Sequence, residues 1–337
     1  MVRTKTNFIV ISMKKYFITA LCLGFILTLV MFSDTNLEAA KYGLALWATS
    51  VVPSLFPFFV ATELLCNTNI IYIAGKYLKN IVKKIFNVPG EGAIALIMGI
   101  ISGYPTGAKV IVNLKEKEIL SREEAERLLA FTNNSGPLFI LGTIGISFLN
   151  DKKIGYILLI THILACLTVG YIFRNWKKDK QRVFNIYKTD SLKKNISISE
   201  FGEILGNSIK KSIGTILNIG GFIVIFSVII SILETSKAFE LLLNLTNMIG
   251  LQGEIIVGIF KGILELTNGA KAVSLLGISD FNIAILAFLI GFGGISVMLQ
   301  VYSIIAKEKI SIKPYIYGKL LQGILAFLYT IIFLTLS

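Results

Sequence analysis

Nine apolar stretches separated by short polar segments organise the chain: residues 16–32, 44–66, 93–113, 130–149, 154–173, 213–233, 254–276, 282–305 and 316–335. Each approaches the ~20 residues an α-helix needs to cross a hydrocarbon core of roughly 30 Å. The pattern predicts an all-α polytopic membrane protein. The first stretch follows Arg3, Lys5, Lys14 and Lys15 and precedes Leu37-Glu38-Ala39-Ala40, as a cleaved signal peptide would. At 17 residues it is long for a signal core, and it is read as a membrane helix.

Basic residues cross membranes poorly, so Lys/Arg-rich loops mark the cytoplasmic side. These are the N-terminus, 67–92, 174–211 and 306–314, and Arg174 to Glu200 alone carries eight basic residues against three acidic ones. The loops 33–43 and 234–253 are poor in basic residues and are expected outside. Nine simple crossings would place the most basic loop outside. The conflict disappears if 93–113 and 254–276 dip into the membrane and return, leaving about seven transmembrane helices plus two re-entrant helical hairpins.

The two dips share the triplet Gly107-Ala108-Lys109 and Gly269-Ala270-Lys271 after a polar break. Around each the order recurs: a gate-like helix (44–66, then 213–233), the dip, a Gly-interrupted helix (130–149, then 282–305) and a plain closing helix. Three crossings and a dip per unit force the second copy to be inserted upside down, and inverted-topology repeats with broken helices are a plan of secondary transporters. The predicted organisation is therefore an N-terminal tail and first helix (1–40), a first gate repeat (41–173) with its hairpin at 93–118, a basic cytoplasmic linker (174–202), and a second, inverted gate repeat (203–337) with its hairpin at 254–276.

Composition agrees and excludes other classes. The chain is 54% apolar and 16% charged over 337 residues, with mean hydropathy +0.75, whereas soluble domains are about 25% charged. The net charge of +13 follows the loops, so no nucleic-acid partner is inferred. Cys22, Cys66 and Cys166 lie singly in apolar segments, and no metal or cofactor site is expected. There is no phosphate-binding loop and no catalytic constellation, so no enzymatic activity is expected.

Backbone at membrane depth must be buried in protein or line a wet cavity. Four polar interruptions meet that description: 102–109, with Thr106, Gly107 and Lys109; 131–137, with Thr132, Asn133, Asn134 and Ser135; 265–271, with Glu265, Thr267, Asn268 and Lys271; and 291–296, with Ser296 and, just beyond, Gln300. New half-helices starting at the hairpin tips offer free amides and a positive dipole end. Lys109 and Lys271 follow within a turn and would make a central cavity cationic, suited to a small-molecule anionic substrate. The competing arrangement pairs Lys271 with Glu265 and sends Lys109 to the interface. Glu63 is a further buried acid, a candidate for proton coupling. His162 reads as a packed polar residue, Trp47 and Trp176 as interface anchors, 121–127 as a capped surface helix, and 202–211 as an amphipathic surface helix. Sodium suits the unwound Thr132–Ser135 backbone, but no residue commits to a coupling ion. A homo-oligomer is compatible with the plan.

The segments LWATSVVPSLFPFFVATELL (46–65), NVPGEGAIALIMGIISGYPTGAK (87–109) and FTNNSGPLFILGTIGISF (131–148), with the later LTNGAK and GFGGISVMLQ, closely resemble the YlbJ-type sporulation integral membrane proteins over nearly the whole chain. That family groups with nucleoside-recognition, or gate-domain, membrane proteins and is distantly similar to concentrative nucleoside transporters. The resemblance implies two opposed hairpins and two unwound helices around a midplane substrate site, in a multi-pass bacterial cell membrane, here a mother-cell-derived one during sporulation. It implies movement of dipicolinate, an aromatic dicarboxylate. The chain has the Gly-Ala-Lys triplet in place of the Thr-Glu-Ala-Pro pattern of nucleoside-transporter hairpins, which argues against a nucleoside. The alternatives are a nucleoside or other neutral-solute carrier, or a non-transporting spore-envelope assembly factor that docks a partner on its basic loop.

Overall fold

In the computed structural model of the chain, residues 2–67, 70–177, 198–248 and 252–336 are described, and no strand occurs among them. The basic linker expected at 174–202 lies mostly outside them. In chain order the helices are α1 (Val2–Met31), α2 (Ser33–Leu46), α3 (Val52–Cys66), α4 (Ile70–Phe86), α5 (Ala93–Ser102), α6 (Thr106–Glu116), α7 (Arg122–Thr132), α8 (Lys152–Phe173), α9 (Ile198–Thr235), α10 (Ala238–Met248), α11 (Gly253–Leu264), α12 (Leu266–Ser274), α13 (Asp280–Phe292), α14 (Gly294–Ile305) and α15 (Lys313–Leu336). Two π-helical segments occur, Trp47–Val51 between α2 and α3, and Phe139–Phe148 before α8.

Five helical spans are long and apolar enough to cross a membrane: Ser33–Leu65, Lys152–Phe173, Glu200–Thr235, Asp280–Glu308 and Lys313–Leu336; a sixth arises if Asn80–Phe86 and Gly90–Ser102, bent by 83°, count as one. Their outer faces expose Leu217, Ile225, Leu320, Ile324, Leu328 and Ile332, the surface expected against lipid acyl chains. One of the seven expected crossings, 130–149, is represented by the shorter apolar helix Phe139–Phe148. It is cut because Gly136-Pro137 follows the unwound Asn133–Ser135, and proline cannot donate to the preceding turn.

Several helices outrun their apolar stretches. Residues 33–43, expected as an outer loop, form α2 and continue into the span; 202–211, expected as a separate surface helix, is the first part of α9. At ~1.5 Å per residue the 38-residue α9 is roughly 57 Å long, well beyond the hydrocarbon thickness. Trp47 is no interface anchor: its indole N–H donates to the Ile216 carbonyl at 2.9 Å, clamping α9.

Two pairs of half-helices fold back on themselves. Between α5 and α6 the chain reverses at Gly103-Tyr104-Pro105, where Gly103 has φ +77°, a value costly for any side chain. A Cβ on Gly99 would lie 3.4 Å from the Cα of Gly107 and only 1.6 Å from the Thr132 carbonyl oxygen, so the end of α7 is wedged against both half-helices. Likewise α11 and α12 meet with a Cβ on Gly269 only 2.0 Å from the Gly262 Cα. Helix α15 stands behind both halves. Gly318 abuts the Ala130 carbonyl of α7, and Gly323 abuts Gly291 and Phe288 of α13.

The helix from Ser121 is capped as its sequence predicts, with Ser121 Oγ accepting from Glu124 N at 3.1 Å and Glu124 Oε2 accepting from Ser121 N at 2.7 Å. It is not a surface helix, since Glu124, Ala125, Glu126 and Arg127 are all buried. Glu126 is 0% exposed and accepts from Arg122 Nε (3.1 Å), Lys177 Nζ (2.9 Å), Trp176 Nε1 (3.1 Å) and the Ser311 amide (3.2 Å). Trp176 therefore serves this carboxylate rather than an interface. Burial alone would raise the carboxyl, but the bonds from Lys177, Trp176 and Ser311 outweigh it and hold the group below its ordinary value.

Gly99→Ala should destabilise the fold by about 3 kcal/mol, because a methyl group cannot share space with the Thr132 carbonyl; Gly206→Ala, whose Cβ would meet nothing within 4 Å, should not. Thermal unfolding in detergent separates the two. A depressed carboxyl stabilises above its unfolded value of 4.5 and loses that contribution as pH falls through the lower folded value. Glu126→Gln should therefore cost about 2 kcal/mol at pH 7, and the deficit against wild type should shrink on acidification below about pH 4.5.

Candidate functional site

The reversal at Gly103 packs on the unwound segment of the neighbouring span, since a Cβ there would lie 2.8 Å from the Gly136 amide nitrogen. The junction of α11 and α12 packs on the break between α13 and α14: a Cβ on Gly294 would lie 3.0 Å from the Gly262 carbonyl oxygen and 3.3 Å from the Leu266 amide. Gly293 and Gly294 have φ +83° and +85°, which interrupts the helix there. All four breaks thus meet at the middle of the bundle.

Between them lies a pocket with about 30 Å³ of free space, room for one or two waters. Tyr104, Ser135, Glu265, Thr267 and Gln300 supply its polar wall; Val51, Leu55, Ile219, Ile223 and Val297 supply the apolar one. Ser135 Oγ donates to Tyr104 OH at 2.9 Å and lies 3.4 Å from the Ile290 carbonyl, tying one break to two others. Glu265, 3% exposed, caps α12 by accepting from the Asn268 amide (2.8 Å), Asn268 Nδ2 (2.8 Å) and the Thr267 hydroxyl (3.1 Å). No cation pairs with it among the described residues. Gln300, 2% exposed, donates weakly to Ser296 Oγ at 3.4 Å, and its Oε1 has no partner among the described residues.

Sequence reasoning missed the central cation. Lys319 on α15 is 0% exposed, and its ammonium donates to the Asn133 carbonyl (3.1 Å) and Gln322 Oε1 (2.9 Å). Gln322 Nε2 in turn donates to Asn134 Oδ1 (2.8 Å), and Asn133 Nδ2 donates to Tyr315 OH (3.0 Å). The spacing Tyr315, Lys319, Gln322 places three polar groups on one helix face. A lysine inside the apolar run 316–335 was the available signal, because charges at such depth face a partner or a cavity. The Lys319 stem and the Tyr104 ring both pass beside Gly293, and Tyr104 borders the pocket.

The lysines of the two Gly-Ala-Lys triplets do not border the central pocket. Lys109 is hydrogen-bonded to Thr215 in a separate recess of about 100 Å³ shared with Thr106, Glu63 and Lys211, and Lys211 lies 3.5 Å from Glu63. Lys271 does not pair with Glu265. Its ammonium sits 4.8 Å over the Phe148 ring and borders an open cleft of about 690 Å³ with Asp34, Glu38, Asn268 and Glu234, the last bonded to Lys261 at 2.5 Å. Of the remaining predicted residues, Gly107 lies against the Thr132–Asn133 backbone, Thr132 Oγ1 is buried without a partner among the described residues, and Ser296 serves Gln300.

The family model described as "Gate: Nucleoside recognition" matches residues 48–134, which run from the π-helical turn before α3 through α5 and α6 to the unwound Asn134. The sporulation integral membrane protein YlbJ of Bacillus subtilis (strain 168) is 34% identical over 340 residues, covering 96% of this chain and 82% of that protein. No solved structure matches the chain.

Gln322→Leu removes an acceptor from a buried ammonium and a donor from a buried amide at once. It should lower stability by about 3 kcal/mol without changing helix content, as thermal unfolding followed by circular dichroism in detergent would register.

Proposed function

The chain belongs to the YlbJ family of sporulation integral membrane proteins, and from that premise we propose that it is a membrane carrier for a small organic anion, dipicolinate foremost. The two folded-back helix pairs act as re-entrant hairpins in two oppositely inserted repeats: α3, α5–α6, α7 with Phe139–Phe148, and α8 in the first; α9, α11–α12, α13–α14 and α15 in the second. The substrate binds at the midplane between the hairpin turns, where the present space of about 30 Å³ must widen to admit it. The recess at Lys109 and the open cleft at Lys271 are its approaches from the two sides, each with a lysine to draw in negative charge. Sequential loosening of one hairpin and then the other against the broken helices gives alternating access. In a sporulating cell the protein sits in a mother-cell-derived membrane.

The observation that carries the reading is Lys319. The Lys319 amine is fully buried, bonded among the described residues only to the neutral Asn133 carbonyl and Gln322 Oε1, and passes Gly293 beside the Tyr104 ring that borders the pocket; an ammonium in that place is costly unless a ligand balances it. Hydrogen-bonding groups on one wall and aliphatic groups on the other suit a flat, aromatic dicarboxylate. A second reading, a nucleoside carrier, draws on the acceptors Glu265 and Gln300 Oε1, which suit sugar hydroxyls.

Uptake into proteoliposomes of purified protein tests both, with labelled dipicolinate and labelled nucleosides as substrates. Dipicolinate should enter saturably, and Lys319→Met, which keeps the stem and removes the charge, should cut that flux at least ten-fold. Saturable nucleoside uptake indifferent to Lys319→Met, with no dipicolinate uptake, would establish the second reading instead.

A further inference from the structure

A carboxylate is an odd neighbour for an anion. Glu265 lines the same 30 Å³ space as the polar groups assigned to the substrate; that space must widen to admit a dicarboxylate, and one seated among Tyr104, Ser135 and Gln300 would lie against Glu265. Its three bonds come from neutral donors, the Thr267 hydroxyl and the main-chain and side-chain amides of Asn268. The lysines of its own helix pair point elsewhere, Lys261 to Glu234 and Lys271 to Phe148. The charged and titratable groups on the elements packed around it do not neutralise it. Helix α2 presents Tyr42 and the turn after α5 presents Tyr104, both phenols in its electrostatic reach. On the neighbouring helices α9 and α10 the charged groups have partners of their own: Glu234 is bonded to Lys261, Lys211 lies 3.5 Å from Glu63, and Glu240 lies 3.7 Å from Lys237.

Two ionised carboxylates cannot share a small, poorly solvated site, so one of them holds a proton. We infer that Glu265 takes up a proton as the anion binds and releases it as the anion leaves, making the protein a proton–anion symporter. The inference rests on the anion reading above. The balance is simple: the Glu265 carboxylate accepts H⁺ from water on the entry side, the neutral acid travels through the conformational change with the bound anion, and H⁺ returns to water on the exit side. Nothing is oxidised or reduced. Protonation removes the one carboxylate charge in the pocket wall that would repel the substrate, while Lys319, beside Gly293, is the amine whose charge the bound anion would balance. The unpartnered Gln300 Oε1 is an acceptor available to the resulting acid O–H.

The test uses the full chain in proteoliposomes loaded with a pH-sensitive dye and given labelled dipicolinate. In wild type, dipicolinate addition should acidify the lumen, and an imposed gradient, alkaline inside, should raise accumulation at least ten-fold over the no-gradient control. In Glu265→Gln, which keeps the capping acceptor, gradient-driven accumulation should vanish, and whatever counterflow remains should be independent of pH between 5 and 8. The wild-type dye signal alone decides the matter if that variant does not fold. Dipicolinate flux that carries no protons, or a Glu265→Gln protein that still accumulates with the gradient, would overturn the inference and leave the anion reading standing. Absence of dipicolinate flux at every pH would overturn both.

Discussion

Backbone that leaves a helix within a bilayer finds no water there, so its amides and carbonyls must be met by other protein groups. This chain breaks its helices four times, and the breaks are brought together around one small pocket. The Thr132 carbonyl is wedged against the first helix pair, the Asn133 carbonyl is met by Lys319, and Ser135 reaches Tyr104 and Ile290. The second pair is seated on Gly294 in the same fashion. Glycines at the contacts let main chain approach main chain, and α15 backs both halves through Gly318 and Gly323. The pocket is what remains between units that must touch.

The charges inside follow from the same constraint. Lys319 and Glu265 are both buried, and each is held by neutral groups on its own side, Lys319 by the first unwound segment and Gln322, and Glu265 by the start of α12. Among the described residues neither pairs with the other. By contrast Glu126, outside the apolar spans, is fully matched by Lys177, Arg122, Trp176 and the Ser311 amide. It ties the end of α8 and the entry to α15 to α7, a structural role.

Much of the site is legible in the amino-acid sequence. Gly103 to Gly107, Thr132 to Pro137, Glu265 to Asn268 and Gly291 to Ser296 stand out because glycine, proline and hydrogen-bonding side chains are expensive in lipid-facing helix. The capping box of Ser121 and Glu124 is equally plain. Hydropathy misleads at the helix ends: α2 and the first part of α9 are helical where the chain turns polar, since apolarity marks contact with lipid and a helix needs only its own hydrogen bonds to continue. The burial of Glu126 in a highly charged segment is hidden for a related reason, because its partners come from Trp176, Lys177 and Ser311, about fifty and nearly two hundred residues away.

By itself the sequence determined that the protein lives in a membrane, where its helices break, and which side chains sit at the breaks, because each of these depends on local composition and on residues within a turn or two. Only the tertiary structure decided which charges face the centre. It turned Lys109 toward Thr215 and Lys271 toward Phe148, and it brought Lys319 from the last helix onto a carbonyl 186 residues earlier. A charged side chain is stabilised by whatever long-range packing places within about 3 Å of it, and neighbours along the chain do not encode that.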